Sequence, residues 1–422
     1  MPAAVPPDLP SGHRVGSAGY RRLTLALFAA GMASFAQMYS AQAVLPQLAG
    51  EFGISPARAT LAVSATTLMI AVAIVPASVL SERYGRIRVM TVSAVVSTGL
   101  GLLIPLSPTF GVLVAARAVQ GAAVAGVPAV AMAYLAEEVH QQAIGAAMGR
   151  YIAGTTVGGL FGRLVAALAL DVTSWRWALE IAAIGSAVFA AAFVVLAPPS
   201  LRFVAHSVHP ATVGRNLVAH LRQPALLALF ALAMLLMGGF VSVYNLLGFR
   251  LLAPPFALPA AVVGLVFCFY LAGTVSSAVA GRLADRSGRG PVLLAAVGVT
   301  ALGLALTGPG WLPTVLAGVL IFTAGFFAAH AVASGWVGRI AVTHRAEASA
   351  LYLFGYYTGS AVGGTGAGVA YAAGGWTGCL LYVGGLLAVS ALLAGYLLLR
   401  ARRGARNGPV SAAGKSDAET GP

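Results

Sequence analysis

Charge is scarce in this chain, because Asp, Glu, Lys and Arg together make up only 9% of its 422 residues. A water-soluble domain usually carries about a quarter charged residues, so this sequence cannot cover a folded surface with hydrated groups. Carboxylates are the scarcer sign, with 11 Asp and Glu against 25 Lys and Arg. Apolar residues reach 59%, and this balance predicts a protein whose main solvent is the lipid bilayer.

Cysteine and the common catalytic motifs are scarce as well. The two cysteines, Cys268 and Cys379, lie in apolar segments, and no His/Cys set has the spacing of a metal site. The G-x-x-x-x-G-K-[ST] loop that cradles nucleotide phosphates is absent. We therefore predict no catalytic residues, no metal, no cofactor and no enzyme activity.

Long uncharged runs are what the sequence has in abundance. A helix that spans a bilayer needs roughly 20 mostly apolar residues, and twelve segments qualify. They lie near residues 23–45, 60–80, 89–106, 110–134, 147–170, 178–197, 225–248, 261–281, 291–308, 314–336, 349–373 and 379–399. The predicted fold class is therefore an all-α integral membrane protein with twelve transmembrane helices.

Basic residues are distributed unevenly between the two ends of these spans. We place 19 of the 25 Lys and Arg residues on the side of the termini, and only Arg58, Arg176 and Arg250 on the other side. Cytoplasmic loops carry the excess of Lys and Arg, so both termini and the central loop are predicted to be cytoplasmic. The net charge of +14 then reflects topology, and no nucleic-acid partner is expected.

The two halves of the chain repeat one plan. SERYGRIRVM at residues 81–90 recurs as ADRSGRGPVL at residues 284–293, and Tyr151-x-x-Gly-x-x-x-Gly-Gly recurs 205 residues later, from Tyr356. Parallel repeats of this kind bind substrate near the membrane midplane, between the halves. The predicted domains are an N-tail (1–22), a six-helix bundle (23–197), a central loop (198–224), a second six-helix bundle (225–399) and a C-tail (400–422).

These residues carry a resemblance to a known family. The second loop, Gly281-Arg-Leu-Ala-Asp-Arg-Ser-Gly-Arg289, resembles the G-x-x-x-D-R-x-G-R signature of the major facilitator superfamily, and the first loop departs from it at Ser78 and Glu82. Arg117-Ala-Val-Gln-Gly121 resembles the family's R-x-x-x-G signature. At finer grain the chain is similar to the YnfM-type bacterial inner-membrane efflux transporters.

The resemblance implies a secondary transporter that moves a small organic solute by alternating access, with proton-coupled efflux as the expected direction. The expected partners are membrane lipid, a small-molecule substrate and protons, and the expected state is a monomer in the bacterial cytoplasmic (inner) membrane. Two alternatives stay open at this point. One is an importer or exchanger of an organic anion, and the other is a transporter-shaped receptor that binds solute without flux.

The resemblance also gives the repeated loops a role, as a conformational latch at the cytoplasmic seam between the halves. The alternative is a tight turn that only fixes topology, with glycine permitting the backbone angles. The predicted latch residues are Glu82, Arg83, Gly85, Arg86, Asp285, Arg286, Gly288 and Arg289.

Arginine within a span is costly unless it faces a polar cavity or a partner. Arg163 and Arg117 do not recur in the second half, and this favours a role in cargo binding or coupling. For Arg163 the alternative is a structural pair with Glu180, and for Arg117 it is an interhelical hydrogen-bonding post. His330, the one histidine within a span, is a candidate proton carrier or a packing residue. Glu180 and the pair Glu137–Glu138 are the other candidates for carrying a proton.

The remaining candidates are polar residues on spans one and seven, which line the central cavity in the family. They are Gln37, Gln42, Tyr39, Tyr244 and Asn245. Gln42 and Asn245 have no match in the repeat, whereas Tyr39 matches Tyr244 at an offset of 205. For the two tyrosines, aromatic packing is as plausible as contact with cargo.

Overall fold

The computed structural model describes residues 12–203 and 210–406, and nearly all of them are helical. Ten helices long and apolar enough to cross a membrane precede the last one. They are α1 Ala18–Glu51, α2 Pro56–Tyr84, α3 Arg86–Leu106, α4 Phe110–Glu138, α5 Gln141–Leu170, α6 Trp175–Leu196, α7 Pro224–Leu252, α8 Ala260–Ser287, α9 Arg289–Leu306 and α10 Leu312–Ile340.

The last helix, Arg345–Arg406, contains a break that divides it into two spans. Gly374 (φ −143°, ψ 22°) and Gly375 (φ 57°, ψ −145°) leave the helical region, and the positive φ of Gly375 suits a residue without a Cβ. We call the two arms α11 (345–373) and α12 (376–406). Each of the twelve predicted spans therefore coincides with a helix.

Rows of glycine set the distance between helices in each half. In α5, Gly154, Gly158 and Gly162 lie against the backbone of Phe28, Met32 and Ala36 in α1. In α11, Gly355, Gly359 and Gly363 lie in the same way against Phe230, Met234 and Gly238 in α7. Lipid supplies no hydrophobic drive between helices, so this close packing is what holds each half together.

These contacts correct the register of the repeat. The glycine row of α5 matches that of α11 at an offset of 201 (Gly154 to Gly355), one helical turn short of the predicted 205. The tyrosine that begins the motif fits at both Tyr352 and Tyr356, because Gly-x-x-x-Gly rows repeat every four residues. In the corrected register Arg163 matches Gly364.

The two ends of the molecule differ in their connections. The distal end holds the loops at 52–55, 107–109, 171–174, 253–259 and 307–311, together with the Gly374–Gly375 break, and the terminal end holds Ala18 and Arg406. The halves meet at the distal end, where Thr365 Oγ1 donates to Ser64 Oγ at 3.1 Å. Gly264 also lies against Ala167 there. The structure is therefore closed at the distal end.

Two boundaries at the terminal end differ from the predicted domains. Helix α1 begins at Ala18, not residue 23, because Ser17 Oγ caps it by accepting from the Tyr20 N–H at 3.1 Å. The stretch predicted as a polar loop contains the connecting helix, Pro210–Leu221. Asn216 Nδ2 in this helix donates to Glu347 Oε1 at 3.3 Å, which holds the connecting helix against the second half.

Candidate functional site

A buried hydrogen-bond network joins the two halves between α1, α5, α7 and α8. Arg163 Nε donates to Gln42 Oε1 at 2.6 Å, and Gln42 Nε2 donates to Asn245 Oδ1 at 2.7 Å. Arg163 also donates through NH1 to the Gly159 carbonyl at 2.8 Å and through NH2 to the Tyr270 hydroxyl at 3.2 Å. Gln42 and Arg163 belong to the first half, and Asn245 and Tyr270 to the second.

Aromatic rings cover the faces of the Arg163 guanidinium. Its central carbon lies 4.0 Å from the ring centre of Tyr39, 4.6 Å from that of Tyr270 and 5.4 Å from that of Phe267. Cation–π contacts of this kind stabilise a cation most when water is excluded, and Arg163 is only 2% exposed. The network and these rings together form what we call the central site.

Two short 3₁₀ segments help to position the central site. Gln42 lies in the segment Ser40–Val44 of α1, and Phe267 lies in Val266–Phe269 of α8, directly before Tyr270. A 3₁₀ stretch within a longer helix often marks a hinge. Both segments therefore turn side chains toward the boundary between the halves at the point where the backbone departs from α-helix.

The structure brings together Arg163, Gln42, Asn245 and Tyr39, which the sequence had singled out separately. The alternative pairing of Arg163 with Glu180 is wrong for this structure, because all three hydrogen-bond partners of Arg163 are neutral groups. Glu180 itself is partly exposed on α6.

The matches within the predicted set also change. Gln42 and Asn245, which have no match in the predicted repeat, bond each other across the boundary between the halves. Tyr39 contacts the guanidinium of Arg163, whereas the Tyr244 hydroxyl bonds the Thr323 hydroxyl at 2.7 Å inside the second half. The two tyrosines therefore occupy different environments, and their matching spacing in the sequence was a coincidence of register.

Sequence reasoning missed Tyr270 and Phe267. Tyr270 is a polar residue within a span, and the corresponding position in the first half, at an offset of 203, is Thr67. Thr67 also carries a hydroxyl, so the criterion that selected Arg163, a polar side chain present in one half only, does not select Tyr270. The signal that could have found it is a tyrosine within a span beside an uncharged run. Phe267 carries no comparable signal, because phenylalanine is common in spans.

Arg117 forms a second buried network, confined to the first half. Its Nε donates to the Ala62 carbonyl at 2.8 Å, NH2 to the Met38 carbonyl at 2.7 Å, and NH1 to both the Gln37 carbonyl and Gln120 Oε1. Gln120 Nε2 then donates to Gln37 Oε1 at 3.0 Å. The arrangement joins α1, α2 and α4, and the geometry is that of an interhelical post.

His330 lies in an aromatic cluster nearer the terminal end. Its Nδ1 is 3.0 Å from the Tyr352 hydroxyl, and its ring lies 4.9 Å from that of Tyr356, centre to centre. The side chain is partly exposed. The histidine therefore has a hydrogen-bond partner on α11 but no contact with the central site through that bond.

The two repeated loops form charge clusters of unequal burial. In the first loop, Arg86 NH2 lies 2.7 Å from both Glu82 Oε1 and Glu137 Oε1, and its side chain is 6% exposed. In the second, Asp285 Oδ1 lies 3.1 Å from Arg339 NH2, and both side chains are more than half exposed. Among the described residues, the ion pairs of each cluster stay within one half and do not join the halves.

This difference predicts unequal effects of one conservative change. Glu137→Gln keeps the shape but weakens a charge-assisted pair to a nearly buried arginine, and it is expected to cost about 1–2 kcal/mol of stability. Asp285→Asn removes an exposed pair, and it is expected to cost less than about 0.5 kcal/mol. Thermal unfolding of the two purified variants checks this, and equal losses would contradict it.

Comparison with known proteins places this geometry in context. A family model described as Major Facilitator Superfamily matches residues 26–267 and 246–419. The chain is 42% identical over 387 residues to the inner membrane transport protein YnfM of Escherichia coli (strain K12), across 91% of this chain and 92% of that protein. It is 37% identical over 384 residues to the uncharacterized MFS-type transporter YybF of Bacillus subtilis (strain 168), across 91% and 95% of the two chains.

Solved structures of other transporters share the fold of this chain. A crystal structure of the nucleoside transporter NupG superposes with a TM-score of 0.72 at 17% sequence identity, over 89% of this chain and 99% of that one. At this identity the likeness concerns the fold alone.

Proposed function

The chain belongs to the major facilitator superfamily, and from this premise we propose that it exports a small organic solute by alternating access, coupled to proton entry. It is a multi-pass protein of the inner membrane and a transporter, not an enzyme. The identity of the solute, the outward direction and the coupling to protons are the parts that we propose.

The observation that carries the proposal is the network across the boundary between the halves. Gln42 bonds Asn245, and Arg163 bonds Tyr270, so two hydrogen bonds of the central site cross between the halves. Contacts that cross this boundary must break when the distal end opens, and a solute that replaces them biases the change between states. This supports a solute path lined by the central site together with Tyr244.

We assign the other polar residues to supporting roles. Arg117 and Gln37 hold the first half rigid as an interhelical post. Glu180 and His330 are the proposed proton carriers, because Glu137 is engaged by Arg86 and Glu138 Oε1 accepts from the backbone N–H of Arg202 at 2.9 Å. We propose that the loop clusters act as the latch when the distal end is open.

Uptake into inverted membrane vesicles tests the direction and the coupling. With the lumen acidified by two pH units, the gradient is worth about 2.7 kcal/mol per proton, enough for about 100-fold accumulation at one proton per solute. We expect labelled solute from a panel of sugars, nucleosides and organic acids to accumulate only with this gradient. A protonophore is expected to release it.

The control is Arg163→Ala in the same vesicles at matched protein content, for which we expect uptake to fall to background. Loss of preloaded solute on acidifying the lumen would indicate an importer. Specific binding by purified protein without gradient-driven flux of any solute in the panel would favour the receptor alternative and overturn the proposal.

A further inference from the structure

The charge of Arg163 has no counter-charge in the central site. Within residues 12–203 and 210–406, the ion pairs form at the terminal end, in the two repeated loops and at the start of α11, and none includes Arg163. The side chain is 2% exposed and is held by neutral partners. A buried arginine without a counter-charge raises the free energy of a membrane protein. Binding of an anionic ligand beside Arg163 would lower it.

The direction of every bond in the central site follows from Arg163. A guanidinium only donates hydrogen bonds, so Gln42 must turn its Oε1 toward Arg163 and its Nε2 toward Asn245. Asn245 must then accept through Oδ1, and its Nδ2 is a buried donor without a partner among the described residues. The donor-only guanidinium therefore fixes the orientation of both amide groups.

Among the described residues, the network retains hydrogen-bond donors that have no acceptor. Arg163 carries five N–H groups and uses three of them in its hydrogen bonds. Tyr270 accepts from Arg163 through its oxygen, so its own O–H remains able to donate. With Asn245 Nδ2, three side chains of the central site retain donors, and a surplus of donors matches an acceptor-only group such as a carboxylate.

The second half has a glycine, and so no charged side chain, at the position that matches Arg163. Gly364 matches Arg163 in the corrected register, and a Cβ there would lie 3.0 Å from Asn245 Nδ2. A void of about 20 Å³ bounded by Gln42, Tyr244 and Phe267 lies beside the network. It has room for about one water molecule, so a solute enters only when the halves part.

We propose that the transported solute carries a carboxylate on an aromatic or apolar body, and that the carboxylate binds Arg163, Asn245 and Tyr270 at the boundary between the halves. This inference rests on the proposed function and names its substrate class. The body of the solute is apolar because Tyr39, Tyr270 and Phe267 surround the charge. In this structure Gln42 and Tyr270 accept hydrogen bonds from the arginine, and the proposed carboxylate would replace them.

Binding to purified protein in lipid nanodiscs tests the inference without requiring flux. The probes are benzoate, cinnamate and 1-naphthoate, each compared with its neutral primary amide, and the readout is the unfolding temperature as a function of probe concentration. We expect at least one carboxylate to raise the unfolding temperature at concentrations where its amide has no effect. Arg163→Gln is expected to weaken this binding at least tenfold.

Two further variants keep the test decisive. Tyr270→Phe deletes only a hydroxyl, and it is expected to weaken carboxylate binding several-fold if Arg163→Gln does not fold. Arg176→Gln is the matched control, since Arg176 caps the Pro105 and Ser107 carbonyls at the distal end of the first half. It is expected to leave probe affinity unchanged.

The inference is overturned if amides bind as well as acids, if no carboxylate stabilises the protein, or if Arg163→Gln binds like the parent. Such results, together with gradient-driven flux of a neutral solute, would leave the proposed function intact and make the network a gate alone. Carboxylate binding without any flux would instead retain the inference about the ligand and overturn the proposed function.

Discussion

Replacing Gly158 by leucine is expected to prevent the first half from folding. A Cβ at this position would lie 2.6 Å from both Cα and O of Met32, and backbone cannot move aside as a flexible side chain can. Separating α5 from α1 also opens the neighbouring contacts of Gly154 and Gly162. We expect a loss of at least about 3 kcal/mol, measured as the loss of monodisperse protein in size-exclusion chromatography and a lower unfolding temperature.

Gly149→Leu is the matched control, because Gly149 lies on the same helix with nothing within 4 Å of its Cβ position. It is expected to purify like the parent. Gly158→Ala should fall between the two. A normal yield and unfolding temperature for Gly158→Leu would show that the glycine row does not hold α1 against α5.

Replacing Arg117 by methionine is expected to have the second-largest effect. The change leaves Gln120 Oε1 and three carbonyls, those of Ala62, Gln37 and Met38, without the donor that now joins them. Loss of a buried network of this size is expected to cost about 3 kcal/mol. Chemical unfolding of the purified protein measures it.

Arg117→Lys separates the post from a role in coupling. Lysine keeps the charge but presents it as a single point, so it cannot reach acceptors on α1, α2 and α4 together. If Arg117 links α1, α2 and α4 by hydrogen bonds, both variants are expected to lose stability. Coupling alone predicts that the methionine variant unfolds like the parent while its vesicle uptake no longer depends on the pH gradient, and that result would contradict the interhelical role.

Four residues of the candidate site were predictable from side-chain chemistry, whereas their partners were not. Arg163, Gln42, Asn245 and Tyr39 were selected because polar groups are costly in lipid, and that cost depends only on residue type and position within a span. The partners were not predictable in the same way. Glu180 was the alternative partner of Arg163 because it lies at a similar depth, but depth says nothing about which face of a helix a side chain occupies.

The register between the two halves of the repeat was also predicted wrongly, by one helical turn. The glycine rows repeat every four residues, and Tyr352 starts a match that lacks only the final glycine of the full match from Tyr356, so the letters alone favour the register one turn away. One turn is about 5.4 Å along a helix, enough to exchange the residues that face the boundary. Only the contacts of Gly154 with Phe28 and of Gly355 with Phe230 distinguish the two.

By itself, the sequence determined that this protein lies in a bilayer, that it has twelve segments long enough to span it and that its halves repeat. The first two follow from hydrophobic length, which is a property of some twenty consecutive residues, and the third follows from motifs that recur about 200 residues apart. The tertiary structure alone decided that Gln42 meets Asn245, that Tyr270 meets Arg163 and that the distal end is closed. Such contacts depend on the rotation and close approach of helices distant in the chain, because backbone packing at glycine sets both.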